Sequence, residues 1–114
     1  MQSAPASIDN RQSTISGAWY TAIGYLADVT FEEMYALAVS RKREMPAGSG
    51  TTALFEAGSH AIGKKLVEEA AESWMAARFE SEDALAAELS QVLYYVACMM
   101  AERDVALEDV YRNL

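Results

Sequence analysis

Two stretches in the second half of the chain decide its fold: residues 64–74, KKLVEEAAESW, and residues 86–95, AAELSQVLYY. Each has the spacing of an amphipathic helix, yet each places acids beside or within the apolar face. In the first, a rotation of about 100° per residue brings four charged residues into one arc of roughly 100°: Lys65, Glu68, Glu69 and Glu72. A carboxylate on a buried face is costly unless something pairs with it. The acids of these two helices are therefore expected to have a partner in the interior.

The apolar neighbours of these acids predict where they point. The arc adjoins a predicted buried stripe of the first helix, so that Trp74 is expected in the core; the stripe consists of Ile62, Leu66, Ala70 and Trp74. In the second helix Glu88 falls among large apolar side chains: Leu85, Val92, Tyr95 and Met99. Carboxylates that converge on a buried face predict a bound cation, and oxygen ligands favour magnesium or manganese.

Composition limits the class of protein. A chain of 114 residues has room for a single core. Seventeen acids against nine lysines and arginines give a net charge of -8, which argues against a nucleic-acid partner, since such binders need a basic face. The single cysteine, Cys98, cannot form an internal disulfide and is expected to be a small core residue in a reducing compartment.

The chain divides near residue 29. Residues 1–28 are predicted to be a poorly ordered leader, because the first half of this segment is polar and low in large apolar groups. Its most apolar part, residues 15–27, is too short to span a membrane and follows no basic segment, so no membrane span or signal peptide is expected and the cytoplasm is the default compartment. Residues 29–114 are predicted to be the functional domain.

Within that domain, the residues that begin and end helices predict helices throughout. Thr30 and Glu33 have the spacing of a capping box that opens a first helix, and Pro46, Gly48 and Gly50 end it in a loop. A single long helix is predicted over residues 53–79, capped by Thr51 or Thr52, with a weak point at Gly58 or Gly63. Ser81 is predicted to cap the next helix, and residues 107–114 a short closing one. The fold class is therefore all-α.

The apolar surface exceeds what one bundle can bury. The helix after Ser81 is apolar on more than one face, and about 85 helical residues form only a small core. We therefore expect a helical bundle completed by formation of a homodimer.

Three motifs carry a resemblance to a known family. They are P-x-G-S-x-T at residues 46–51, K-x-x-E-E-x-x-E at residues 65–72 and L-E-D-V at residues 107–110; TFEEMYALAVSRKRE, residues 30–44, fits as well. Over about residues 29–114 the chain resembles phosphoribosyl-ATP pyrophosphohydrolase, the second enzyme of histidine biosynthesis, and with it the MazG-like all-α nucleotide pyrophosphohydrolases.

The resemblance implies a magnesium site with the pattern E-x-x-E…E-x-x-D. Glu69 and Glu72 match the first pair and Glu88 matches the third acid. Gln91 stands where the family usually has Asp, and Tyr95 stands where a His often follows. Gln91 keeps a neutral carbonyl oxygen that can bind magnesium weakly or through water, but it supplies no charge.

The resemblance also implies the reaction, hydrolysis of the α–β phosphoanhydride of phosphoribosyl-ATP to phosphoribosyl-AMP and pyrophosphate. Glu68 or Glu69 is the expected general base. The expected substrate-binding residues are Arg43, Ser49, Gly50, Thr51, Lys64 and Lys65. Tyr94 and Tyr95 are candidates to stack on the nucleotide base, whereas His60, the single histidine, is expected to play no catalytic part.

Two other functions fit the same fold. A house-cleaning pyrophosphohydrolase would act on free nucleoside triphosphates, and a non-catalytic dimerisation module would explain Gln91 as a decayed ligand. A simpler alternative exists for Glu68, Glu69 and Glu72. They could form a solvent-exposed helix face supported by Lys64, Lys65 and Arg78. Glu88 argues against the decayed module, since a protein without a site has no reason to keep a carboxylate on the face toward the core.

Overall fold

The computed structural model describes residues 29–114, and the predicted leader, residues 1–28, lies outside them. The described part is all-α, as predicted, and has no strand. Its five helices are α1 (Phe31–Glu44), α2 (Gly50–Ala57), α3 (Ser59–Phe79), α4 (Glu82–Arg103) and α5 (Leu107–Tyr111).

Helix α4 is the centre of the bundle. It packs against α3 in an antiparallel hairpin closed by Glu80 and Ser81, and against α1 on another side. Most of the buried core residues come from α4: Tyr94, Tyr95, Ala97, Cys98 and Ala101. Met34 and Ala38 of α1, Phe55 of α2 and Ile62 of α3 complete this core. The prediction that Cys98 is a core residue is confirmed.

The predicted capping residues begin α1 and α4. The Thr30 N–H donates to Glu33 Oε1 at 2.9 Å, and the Glu33 N–H donates to Thr30 Oγ1 at 3.1 Å, which completes the capping box. Ser81 Oγ accepts from the Ala84 N–H at 3.1 Å. These bonds satisfy backbone donors that have no partner inside the helix.

The long helix predicted over residues 53–79 is in fact two helices, so that prediction was wrong. Gly58 separates α2 from α3 with φ 93° and ψ -175°, a conformation open to glycine and strained for other residues. Ser49, rather than Thr51 or Thr52, is the N-cap of α2. Gly63 stays inside α3, where a Cβ would lie 3.5 Å from Met99 Cε of α4.

The predicted buried stripe of α3 was also wrong at Ala70 and Trp74, which are exposed; Trp74 is 68% exposed. Steps of four residues advance about 40° beyond a full turn, so a stripe spaced only by fours rotates away from the neighbouring helix. The residues that α3 does bury follow one another at spacings of seven, four and three: Ile62, Glu69, Ser73 and Ala76.

Helix α4 departs from the expectation that no segment could span a membrane, because its length and composition would allow it to do so. The same properties are found in the core helix of a soluble bundle. Since α4 packs against α1 and α3 and buries Glu88 and Gln91, its apolar character follows from its central place in the fold.

Candidate metal centre

Three carboxylates meet where α3 faces α4. One carboxylate oxygen from each of Glu69, Glu72 and Glu88 lies within 4.8 Å of the other two. Glu69 and Glu88 are 3% and 2% exposed, whereas Glu72 is exposed. The cluster therefore has a buried floor and an open edge.

Helix periodicity explains how the cluster arises. Glu69 belongs to the inward face of α3, and Glu72 follows one turn later at the margin of that face. Because the turn at Glu80 and Ser81 makes α4 run back along α3, Glu88 comes opposite this pair. The sequence prediction that these three acids converge is confirmed as geometry, and their role as ligands stays a prediction.

Gln91 lies one turn after Glu88 on the buried face of α4 and is 1% exposed. Its amide therefore faces the interior of the bundle, on the same side of α4 as Glu88. The position that the resemblance assigns to a fourth ligand thus lies on the buried face of α4 and holds a neutral side chain, and its role as a ligand stays a prediction.

The donor set fits a hard divalent cation. Magnesium binds oxygens at about 2.0–2.1 Å, so two oxygens on opposite sides of one ion lie about 4.2 Å apart. The spread of 4.8 Å exceeds this value by roughly half an ångström, which small side-chain rotations can close. Three carboxylates without sulfur or imidazole also match the preference of magnesium and manganese.

The charged residues beside the cluster on α3 face solvent more than the core. Lys65 Nζ lies 3.5 Å from Glu68 Oε1, and the two side chains are 46% and 44% exposed. An exposed pair of this kind contributes little to stability, so either side chain can exchange its partner for a ligand. Lys64, one residue earlier, is exposed.

The basic side chains at the C-terminal end of α1 lie in different environments. Lys42 Nζ bonds Glu102 Oε1 of α4 at 2.9 Å and lies 5.7 Å from the ring centre of Phe55. Lys42 thus ties α1 to α4 and α2. Arg43 in the same turn is exposed, which leaves it as the more accessible cation for a ligand.

Hydroxyl groups anchor the loop of residues 46–50. From the sequence, Ser49 and Thr51 were expected to bind substrate, and Thr51 or Thr52 to cap the next helix. Ser49 Oγ accepts from the N–H groups of Thr51 and Thr52 at 3.2 and 3.3 Å. The Thr52 hydroxyl donates to the Pro46 carbonyl oxygen at 2.7 Å. A hydrogen bond of 2.8 Å joins Thr51 Oγ1 to the Tyr94 hydroxyl. The P-x-G-S-x-T motif was the signal for this loop, but nothing in the motif indicated Tyr94.

The two tyrosines after Gln91 are core residues, so the expectation that they stack on a nucleotide base was wrong. Tyr94 and Tyr95 are 3% and 2% exposed, and their rings meet edge to face with centres 4.8 Å apart. Burial raises the pKa of both hydroxyls, and the negative charge of Glu69 raises the pKa of Tyr95 further. Tyr95 thus lies in the electrostatic field of the acid cluster.

The comparison with protein families gives one match. The family model described as phosphoribosyl-ATP pyrophosphohydrolase matches residues 31–114. The match begins at the first residue of α1 and covers all five helices, including the acid cluster and the 46–50 loop.

Proposed function

The chain belongs to the phosphoribosyl-ATP pyrophosphohydrolase family, and from this premise we propose that it hydrolyses phosphoribosyl-ATP to phosphoribosyl-AMP and pyrophosphate. This reaction is the second step of histidine biosynthesis, and we place it in the cytoplasm. The observation that carries the proposal is the cluster of Glu69, Glu72 and Glu88 at the junction of α3 and α4.

We propose that Glu69, Glu72 and Glu88 hold a magnesium ion, with Gln91 as a neutral fourth ligand. The support is the spacing of the three carboxylates and the burial of two of them, which favours a bound cation over mutual repulsion. When bound, the ion neutralises phosphate charge and makes water more acidic. The open edge beside Glu72 is where the triphosphate would approach.

The general base in this proposal is Glu68 or Glu69. Glu69 belongs to the carboxylate cluster and is buried, so one of its oxygens already lies at the proposed metal site. Glu68 lies outside that cluster, and its side chain is 44% exposed beside Lys65. A carboxylate at the open edge can accept the proton from the attacking water and release it to solvent.

Positive groups around the cluster would bind the substrate. Lys65 lies within one turn of Glu68, and Lys64 and Arg43 are exposed. We propose that these three cations contact phosphate oxygens, and that Ser49 and Gly50 of the 46–50 loop contribute with them. A chain with a net charge of -8 repels a polyanion at long range, so local cations and the metal ion are needed to offset that repulsion.

We propose that the protein is a homodimer. Large apolar side chains are exposed along α3 and α4 of the single chain: Val67, Trp74, Phe79, Leu89 and Leu93. An exposed apolar surface on two neighbouring helices is typical of an interface. A second copy of the chain would cover it.

Two alternatives use the same observations. A house-cleaning pyrophosphohydrolase would share the acid cluster and differ in its substrate. A non-catalytic dimerisation module would be favoured by Gln91, which replaces a charged ligand by a neutral one.

One assay separates these functions. The full chain is incubated with phosphoribosyl-ATP or ATP, with magnesium or with excess chelator, and pyrophosphate is measured. We expect release from phosphoribosyl-ATP in magnesium, and none in chelator. Preferential release from ATP would indicate the house-cleaning reaction, and no release from either substrate would leave the dimerisation module. Full activity in chelator would refute the metal mechanism.

A further inference from the structure

We propose that Thr51 and Tyr94 are positioning residues, whose mutual hydrogen bond fixes the 46–50 loop relative to the carboxylate cluster and so sets the KM for substrate. The inference rests on the proposed function, and it gives Thr51 a role that acts through the fold rather than through contact with phosphate.

The bond itself is buried and long-range. Thr51 Oγ1 and the Tyr94 hydroxyl are 2.8 Å apart, and the two residues are 2% and 3% exposed. Forty-three positions separate them in the sequence. At such exposure water cannot readily replace either partner, so the loss of one hydroxyl removes this bond without a substitute from solvent. The bond is therefore held firmly in place.

The loop has two more anchors at the same helix end. Thr52 donates to the carbonyl oxygen of Pro46, at the start of the loop, while Ser49, near its end, caps α2. Both sides of the loop are thus fixed to the first turn of α2. Thr51 fixes the first turn of α2 to α4 through its bond to the Tyr94 hydroxyl. The loop and the first turn of α2 are therefore expected to move as one unit.

The other end of this connection reaches the cluster. Tyr94 lies one turn after Gln91 on α4, and its ring packs edge to face on Tyr95. One short stretch of α4 therefore carries Glu88 of the cluster on its buried face and holds the loop through Tyr94.

The test uses the full chain and five variants. Thr51→Val and Tyr94→Phe each remove one hydroxyl at nearly constant shape, and the double variant removes both. Thr51→Ser keeps the hydroxyl. Tyr35→Phe is the matched control, because the Tyr35 hydroxyl donates to the Val105 carbonyl oxygen at 3.2 Å, away from the loop, and its loss is a comparable loss of one tertiary bond.

We expect Thr51→Val and Tyr94→Phe to raise KM for phosphoribosyl-ATP about three- to tenfold, because the net free energy of one hydrogen bond corresponds to a factor of this size. Turnover and the Kd for manganese without substrate should change little. The double variant should have the same KM as either single variant, because each removes the bond to the loop, and the other contact of the Tyr94 hydroxyl, with the Cys98 thiol, stays within α4. Thr51→Ser should restore KM, and Tyr35→Phe should lower the melting temperature without changing KM. Amide hydrogen exchange at residues 48–50 should quicken only in the variants that break the bond.

Equal KM values in Thr51→Val and Tyr35→Phe, or additive effects in the double variant, would overturn the inference. Unchanged exchange in the loop would overturn it as well, and this measurement needs no catalysis. If the unmodified protein released no pyrophosphate, the proposed function would fail by itself, while the exchange data would still decide whether the bond fixes the loop.

Discussion

Glu88 is the residue at which a buried charge and a proposed ligand can be told apart. It is 2% exposed and lies within 4.8 Å of two other carboxylates. We expect Glu88→Gln to reduce turnover by about 10²–10³, the effect of losing one transition-state electrostatic contact. Without metal, the free energy of unfolding should stay equal or rise, because repulsion among buried carboxylates is relieved.

The control for this prediction is Glu102→Gln on the same helix. Glu102 pairs with Lys42 at 2.9 Å, so its neutralisation should lower stability and leave turnover per folded molecule unchanged. Both quantities are measured on one preparation of each variant. If Glu88→Gln behaved like Glu102→Gln, Glu88 would be a structural residue and the assignment of the metal site would be wrong.

Cys98 gives a prediction about chemical reactivity and pH. It is 0% exposed, and burial raises the pKa of its thiol to about 12. The native protein should therefore react with a thiol reagent at pH 8 only as fast as it unfolds, and at once in denaturant. Because the folded pKa lies above the usual 9.0, the thiol stabilises the fold fully below pH 9, and this contribution is lost as pH rises toward 12. Fast labelling in native buffer would contradict the burial.

At the residue scale, sequence patterns predicted the acids better than the aromatic residues. Glu88 could be placed because its helical neighbours are apolar on one side. Trp74 could not, since an exposed tryptophan and a core tryptophan look alike until the partner helix is known. The bond between Thr51 and Tyr94 depends on tertiary packing across 43 residues, which no local pattern encodes.

At the scale of the helices, Gly58 at the junction of α2 and α3 and Gly63 inside α3 predict opposite effects of a change to alanine. Gly58→Ala should destabilise the fold by about 1–3 kcal/mol, because φ 93° with ψ -175° is strained for any residue with a Cβ. Gly63→Ala should stabilise it by about 0.5–1 kcal/mol, since alanine favours the helix. The new methyl group would meet Met99 Cε at 3.5 Å, an ordinary contact.

Urea unfolding of both variants measures this difference, and each glycine serves as the control for the other. If Gly58→Ala were neutral, α2 and α3 would be able to form one continuous helix, as the sequence had suggested. A loss of stability in Gly63→Ala would instead show that α3 and α4 cannot separate enough to admit one methyl group.

The starts of α1 and α4 were predictable, whereas the start of α2 and the break inside the helical run were not. Thr30 and Ser81 cap their helices through short local bonds whose partners lie three residues away. Gly58 could have been tolerated inside a helix at a modest cost in propensity, as Gly63 is. The choice between break and continuation is made by the packing of α2 on its neighbours, which the local sequence does not contain.

At the scale of the whole molecule, the first question is which part of the chain suffices for folding and activity. We propose residues 29–114 as the domain, since the family match starts at residue 31 and the described core lies within this range. A protein that begins at Val29 should fold and release pyrophosphate at the rate of the full chain. Circular dichroism and the pyrophosphate assay test this, and an insoluble or inactive product would show that residues 1–28 belong to the core or the interface.

The proposed dimer predicts that the exposed apolar side chains on α3 and α4 matter more for association than those elsewhere. Leu93 is 48% exposed in the single chain, so Leu93→Glu should leave the protomer folded. Fully burying one leucine contributes about 1.5–3 kcal/mol, and about half of this can be gained by a side chain that is 48% exposed. Because a symmetric dimer buries two such leucines, the dimer should weaken by about 1.5–3 kcal/mol, roughly ten- to a hundredfold in Kd.

Sedimentation velocity over a range of concentrations measures this shift, with circular dichroism to verify that the helices persist. Leu114→Glu is the matched control, because Leu114 is 97% exposed at the end of the chain, beyond α5. It should leave the association unchanged. A wild-type protein that stays monomeric at every concentration would refute the dimer. Equal weakening by both variants would contradict an interface confined to α3 and α4, because the contact would then depend on Leu114 as much as on Leu93.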